Sequence, residues 1–362
     1  YSLNLGTAIW DDESHTTFKY PHAKIESVAD KLTLLTVTVE NGSFTKPADQ
    51  PEPNLTASNG TSATWIFSGG KSADEVQTFI RNIAFTPQTG SNMNVNITID
   101  GNETRGFDNL PPGSNLTQWT NGHYYLLVNH YMKWVEAYNK AKTYILGGRK
   151  GYLVTINSEQ ERLNLAKINN SSLSVSFIWC GGSRALLKGN KFNDPNEITT
   201  YSFESQYQLY YWNCGPEAGN LIAPTFWNAG QPDSNINGIE GFVQMCKSWN
   251  HLLNDTQESS QCYYIVEFGG YEDAGKADPG GRDTSKTAID VKTSETPVDP
   301  EATINGIKYP TVTDALNAAT DGDTITIVKD QVTATNDATL KQGVTLEKGG
   351  QTIKSVDMDS TV

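Results

Sequence analysis

Gly151-Tyr152-Leu153-Val154-Thr155-Ile156-Asn157-Ser158-Glu159-Gln160-Glu161 joins a strand pattern directly to a helix start. Tyr152 to Ile156 are aromatic, aliphatic or β-branched, the composition of a buried strand. Ser158 and Glu161 then stand in the Ser-x-x-Glu spacing of a capping box, which satisfies the first free N–H groups of a helix. The helix that starts there is expected to bury Leu165 and Ile168. A strand running straight into a capped helix fixes one corner of an α+β unit.

Upstream, Gly122-His123-Tyr124-Tyr125-Leu126-Leu127-Val128 reads as an aromatic strand. Trp134, Ala137, Tyr138, Ala141 and Ile145 follow at i, i+3, i+4, i+7 and i+11, one apolar face of a helix. Downstream, Ile178-Trp179-Cys180-Gly181-Gly182 reads as a tight core strand. Next come Phe226-Trp227-Asn228-Ala229-Gly230-Gln231-Pro232-Asp233, then Glu240-Gly241-Phe242-Val243-Gln244-Met245, Ser248-Trp249-Asn250 and a closing strand Tyr264-Ile265-Val266-Glu267-Phe268. This order, over residues 120–270 with an insertion between Arg184 and Asn220, resembles the C-type lectin fold. That family typically shows Trp-x-x-Ala on its first helix, Gly-x-Leu-(Ala/Val)-Thr-Ile-x-Ser-x-x-Glu, Trp-Ile-Gly, Trp-x-x-Gly-(Glu/Gln)-Pro-(Asn/Asp), an acidic residue before a Val strand, and Trp-Asn-Asp. Its long-range disulfide is missing, because the first helix has no cysteine.

The resemblance implies a site. In calcium-binding members the Glu/Gln-Pro-Asn/Asp loop, the following Glu and the Trp-Asn-Asp pair give oxygen ligands to one Ca²⁺, and two vicinal sugar hydroxyls complete its shell. The matching positions are Gln231, Asp233, Glu240 and Asn250, and Pro232 is expected to be cis, as it often is in the family. Gln-Pro-Asp is the order of galactose-type binders, so galactose-type glycans are the implied ligand. Trp227 and Trp249 could stack on a sugar face, although both also suit a core. The family's Trp-Asn-Asp is Trp249-Asn250-His251 here, and an imidazole is a poor ligand for a hard cation. Asp255 would replace it if Leu252-Leu253-Asn254-Asp255 folds back. Calcium-independent binding of a host protein or glycan stands beside this reading, since fold alone does not fix function.

The flanks differ in character. Residues 1–110 read as mostly strand: Leu35-Thr36-Val37-Thr38-Val39-Glu40 alternates before Asn41-Gly42, and Val95, Ile97 and Ile99 alternate with Asn94, Asn96 and Thr98. Ser72-Ala73-Asp74-Glu75 caps a short helix burying Val76, Phe79 and Ile80. This segment resembles the cadherin-like or immunoglobulin-like modules of bacterial surface proteins. Residues 271–301, rich in Gly, Pro, Ser, Thr and acids, read as a flexible linker. Residues 302–362 read as a capped helix at Thr311–Ala319 and strands at Thr324–Val328, near Val344 and near Ile353, which looks like the start of a parallel β-helix or a small α+β unit. The Asp11-Asp12-Glu13 run reads as a solvated face.

Composition bounds the rest. A chain of 362 residues predicts two or three domains. Lys+Arg 27 against Asp+Glu 41 gives a net charge of −14, which opposes nucleic-acid and anionic-membrane partners and permits calcium. No apolar run has the length of a membrane-spanning helix. The chain opens on Tyr1 without a basic-then-apolar leader, so any secretion signal is expected to lie outside it. Cys180, Cys214, Cys246 and Cys262 cluster in the lectin-like segment, and two disulfides in an oxidising compartment are expected, with free buried thiols as the alternative. The five histidines show no zinc-hydrolase spacing, and neither a Gly-x-Ser-x-Gly elbow nor a Walker loop is present. The expectation is a multidomain, mainly β, secreted or cell-surface adhesion protein that is not an enzyme, built as β-sandwich module, α+β C-type lectin-like domain and β-helix start. The rival is the targeting region of a secreted polysaccharide-degrading enzyme whose active site lies on a longer solenoid.

Overall fold

The computed structural model describes residues 1–26, 31–57, 59–184, 186–187, 202–203, 209–234, 240–284, 289–330, 332, 339–347 and 357–358. The strand expected near Ile353 and much of the insertion after Arg184 lie outside these residues. The chain is mainly β and divides into two compact units, residues 1–65, 71–99 and 288–362 in one and residues 66–70 and 100–287 in the other. No helix among the described residues is long and apolar enough to cross a membrane.

The first unit holds a five-stranded sheet in the order Ile289–Glu295, Met93–Asp100, Leu32–Glu40, Ser62–Lys71, Leu55–Thr56. A four-stranded sheet follows the order Ile9–Trp10, Phe18–Lys19, Ala84–Pro87, Gly42–Thr45. Leu35, Val37 and Val39 are buried on one face of their strand, while Thr36 and Thr38 meet Thr64 and Ser62 hydroxyls on the other at 2.9 and 3.1 Å. Helix α1 (Ala73–Arg81) carries a complete capping box at Ser72 and Glu75 and buries Val76, Phe79 and Ile80.

The stretch expected as a flexible linker is ordered where it is described. Ile289–Glu295 is the edge strand of the five-stranded sheet, with Met93 opposite Glu295 and Ile99 opposite Ile289. Ile289, Val291 and Thr293 alternate with Asp290, Lys292 and Ser294, a period of two diluted by hydroxyl and charged residues. Just before it, Tyr271 is buried and Arg282 pairs with Asp100 at 3.1 Å. The whole of residues 100–287 is therefore inserted, in sequence, between two neighbouring antiparallel strands.

In the same first unit Ala302–Ile304 and Ile307–Tyr309 form a hairpin across Asn305-Gly306, both at positive φ, as a tight hairpin turn requires. Helix α4 (Val312–Ala318, after the intervening helices α2 and α3 given below) is capped by Thr311. It packs Val312, Ala315 and Leu316 against Ile325 and Ile327. Thr324–Ile327 pairs in parallel with Thr345–Glu347, and Thr339–Leu340 in parallel with Asp357–Met358. The result among the described residues is a small α+β body with two parallel pairings.

The second unit is built on an eight-stranded sheet. Its main path runs Asn115–Gln118, Tyr124–Met132, Cys262–Phe268, Phe177–Arg184, Glu240–Cys246, Leu252–Gln257, with Tyr152–Leu153 and Tyr210–Trp212 joining its centre. Helix α2 (Trp134–Ala141) buries Trp134, Ala137, Tyr138 and Ala141, but it stops there. Ile145, expected on the same face, instead lies in a two-residue strand of the Ile145–Lys150 hairpin, whose turn is Gly147-Gly148 at positive φ. Helix α3 (Glu159–Ser171) starts at the expected Ser158 cap and buries Leu165 and Ile168. Gly181 and Gly182 are required by packing: a Cβ on Gly181 would stand 2.4 Å from Cys214 Sγ, and one on Gly182 2.6 Å from Ile222 Cδ1.

The expected disulfides are not formed; all four cysteines are free and buried. Phe177 lies opposite Cys246 on one side, and the parallel register of Ile178 with Tyr263 sets Cys262 beside Phe177 on the other. Two strand spacings, about 9.6 Å, then separate Cys246 from Cys262, more than the roughly 7 Å a disulfide spans. Cys214 Sγ faces the Leu153 carbonyl at 3.2 Å. Burial pushes the Cys246 and Cys262 thiols up to about 12, so they behave as small apolar side chains.

Candidate functional site

The site is assembled from one loop and one hairpin of the second unit. Phe226 and Trp227 are buried, and the loop that follows is tied to the neighbouring strand by a bridge between Trp227 and Leu253 and by Asn228 N–H donating to Leu253 O at 3.1 Å. Gln231–Pro232 is cis, which presents Gln231 and Asp233 from one tight turn. Glu240 opens the strand Glu240–Cys246, and its partner strand Leu252–Gln257 carries Asp255 opposite Val243.

Carboxylate oxygens of Asp233, Glu240 and Asp255 lie within 4.8 Å of one another. Ca²⁺ binds oxygen at 2.3–2.6 Å, so two ligands on opposite sides of one ion stand about 4.8 Å apart, and the cluster has the right span. Asp233 is exposed, Glu240 half-buried and Asp255 buried, a gradient running from solvent into the hairpin. Gln231 Oε1 is buried and has no hydrogen-bond partner among the described residues. An amide oxygen so placed is a further hard donor lacking a proton or cation to meet it. The residues present therefore fit a calcium ion.

Asp255 does more than face this cluster. Its Oδ2 accepts from Ser234 N–H at 2.8 Å and from the Tyr210 hydroxyl at 2.6 Å, and its Oδ1 from Asp233 N–H at 3.3 Å. The buried carboxylate thus fixes the backbone just after the cis peptide. Arg184, opposite Tyr210 in the strand register, is also buried beside this network.

Asn250 is not part of the site. It lies in the turn between the two hairpin strands, with Asn250 and His251 both left-handed at φ 53 and 59, a conformation Asn adopts more readily than most residues. Six strand positions separate that turn from Glu240, about 20 Å of extended chain. Arg162 on α3 donates to the Asn250 carbonyl, and His251 Nε2 meets Asn169 Nδ2 at 2.9 Å. Burial holds the His251 imidazole below its usual pKa, with Arg162 and Lys247 adding to the effect, so this histidine is a neutral anchor for the turn. Trp249 is exposed at the same turn, and Trp227 is packed in the core. The pair that occupies the hairpin position next to the cluster is Asn254-Asp255; the four-residue offset is visible only in the register.

A second polar cluster, which the sequence reading passed over, is buried at the other end of this sheet. His123 Nδ1 meets Glu267 at 2.9 Å and its Nε2 meets Asp273 at 2.8 Å. Glu161 does not complete the capping box of α3. Its carboxylate accepts instead from the Tyr125 hydroxyl at 2.7 Å and Asn157 N–H at 2.8 Å. Thr155 links Glu267 to Glu217 through its N–H and hydroxyl. Burial, aided by Glu267, holds the Glu161 carboxyl above its usual range, and burial does the same to Glu267 against the pull of His123. Burial works against the His123 imidazolium, but Glu267 and Asp273 outweigh it and raise the group to about 9. The cluster joins the strand Tyr124–Met132, α3 and the strand Cys262–Phe268.

No protein-family model matches the chain. An alignment 239 positions long, covering 60% of the chain, is 27% identical to Halomucin of Haloquadratum walsbyi, of which the chain spans 2%. Among solved structures, the C-type lectin CEL-I from Cucumaria echinata is similar at 17% identity over 44% of this chain and 96% of that one, with a TM-score of 0.31. Human lithostathine is similar at 18% identity over 45% of this chain and 92% of that one, with a TM-score of 0.28. These scores are low, and the architecture rests on the strand order and registers given above.

Proposed function

We propose that this chain is a recognition module of an extracellular surface protein, and that its second unit, a C-type lectin-like domain, binds glycan through one Ca²⁺ held by Asp233, Glu240 and Asp255 with the Gln231 amide oxygen. The observation that carries this reading is three carboxylates within 4.8 Å of one another, one of them two residues after Gln231, whose amide oxygen is buried and without a partner among the described residues. A bound Ca²⁺ supplies coordination positions that two vicinal sugar hydroxyls can fill. The chain's own part is to orient the hydroxyls: Gln231 offers amide donors on one side, and Asp233 accepts on the other. That donor and acceptor order supports a galactose-type sugar. The flanking strands and the parallel pairings of residues 324–358 are read as a sandwich module and the opening of a β-helix.

A second reading, calcium-independent binding of protein or glycan, draws support from Asp255, whose carboxylate already accepts three hydrogen bonds, and from buried Arg184 nearby. A glycan array read with Ca²⁺ and with chelator separates the two. Retention of galactose-terminated glycans only with Ca²⁺ supports the first reading; retention unchanged by chelator supports the second.

A further inference from the structure

A cavity of about 310 Å³ in the first unit lies outside everything above and has a charge opposite to that of the chain. In a protein of net charge −14 its wall carries Lys19, Arg81 and Lys308 against a single acid, Asp11. Asp11 is shared: Lys19 Nζ stands 3.0 Å from one of its oxygens and Lys308 Nζ 3.8 Å from the other. Lys308 also donates to the carbonyls of Trp10 and Asp11 at 3.3 and 2.5 Å, which fixes its ammonium group at the wall. Arg81 is held by its Nε, donated to Ala23 O at 2.8 Å, and no carboxylate among the described residues pairs with it. One acid for three cations leaves the cavity about two positive charges in excess.

The wall is preformed and two-sided. His22 Nε2–H donates to the Lys308 carbonyl at 2.7 Å, and the ring packs on Tyr309 with centroids 4.4 Å apart, so the Ile307–Tyr309 strand is seated by both its backbone and a ring contact. Pro21 and Ile307 add apolar surface to the lining, and Thr78 and Asn82 add a hydroxyl and an amide. The volume is at the lower end of pockets that take organic ligands and far exceeds an inorganic ion. Guanidinium and ammonium groups select an anion, and Arg with free Nη atoms favours the planar fork of a carboxylate. Apolar walls with a hydroxyl and an amide suit the C–H faces and hydroxyls of a sugar ring.

We propose that this cavity binds a carboxylated sugar of monosaccharide size, its carboxylate on Arg81 with Lys19 and Lys308 beside it and its ring against Pro21 and Ile307. The site is separate from the calcium cluster and needs no metal. Calorimetric titration of the whole chain with glucuronate and galacturonate, with glucose and sulfate as controls and chelator present throughout, tests it. Saturable uronate binding is expected, with glucose and sulfate at least about tenfold weaker. Arg81→Ala should weaken uronate binding about tenfold or more. Asp11→Asn, which removes the competing carboxylate, should tighten it, a gain that misfolding cannot produce. Absence of uronate binding to the wild-type chain overturns the proposal, as does sulfate binding as tight as uronate. So does an affinity unmoved in both variants. Because chelator is present, failure here leaves the calcium reading untouched.

Discussion

At the scale of single residues, Asp255 and Asn250 are the informative pair. Asp255 is fully buried, joins the carboxylate cluster and fixes the backbone of Asp233 and Ser234, while Asn250 sits in a turn about 20 Å along the hairpin. Ca²⁺ at about a hundredfold excess over Kd should stabilise the second unit by about 2.7 kcal/mol, read as a rise in Tm. Asp255→Asn keeps the volume and removes the charge, so it should abolish that rise; Asn250→Ala should preserve it. Equal loss in both variants would return Asn250 to the ligand set. His123 and Glu161 make a pH argument. Each has a folded pKa above its unfolded one, from 6.5 to about 9 for His123 and upward from 4.5 for Glu161, so the folded state keeps protons that the unfolded chain releases. Stability from both is full at low pH and is lost as pH rises, for Glu161 from about 4.5 and for His123 between 6.5 and about 9. Tm should therefore decline from pH 5 to about 9, and Glu161→Gln, which stays neutral, should flatten the early part of that decline. A Tm that rises over this range contradicts the shared-proton picture.

At the scale of elements, legibility followed pattern strength. Strands with clean alternation, such as Leu35 to Val39 and Val95 to Ile99, are where the periodicity puts them, and Ser72 and Ser158 both cap their helices. Ile289–Glu295 resembles a linker in sequence because its period of two is carried partly by threonine and interrupted by charges. The hairpin acid Asp255 is hard to place from sequence for a different reason. Trp249-Asn250 mimics the family's motif four residues too early, and only the pairing of Val243 with Asp255 shows that Leu253-Asn254-Asp255 occupies the strand. Capping logic likewise placed Glu161 correctly in sequence, but burial beside Tyr125 diverted its carboxylate. The central strand offers a direct check on packing. A methyl added at Gly181 would stand 2.6 Å from the Leu153 carbonyl as well as against Cys214, and backbone cannot move away cheaply. Gly181→Ala should lower stability by about 3 kcal/mol, measured by urea denaturation. A loss under about 0.5 kcal/mol would mean that the strand is not held as described.

For the whole molecule, the decisive fact is the order of the chain. Residues 100–287 form one compact unit, and the strands that precede and follow it, Met93–Asp100 and Ile289–Glu295, are neighbours in a single sheet of the other. An insertion of this kind makes the first unit depend on chain that comes after the second. A chain ending at Thr287 would lack the outer strand and the α+β body after it, and would leave Met93–Asp100 as a sheet edge carrying the buried residues Val95, Ile97 and Ile99. Exposed edges of this kind pair with other chains. The truncated chain should lose the first unit's thermal transition or shift it downward and should self-associate at concentrations where the full chain does not. The second unit, complete by residue 287, should keep its own transition and its response to Ca²⁺. With four free, buried thiols, both transitions of the full chain should also be unmoved by reductant. Calorimetry with light scattering on the two chains decides the matter: a truncated chain that stays monomeric with both transitions unchanged would show that Ile289–Glu295 contributes little to the first unit, and that the two units are consecutive in stability even though they are nested in sequence.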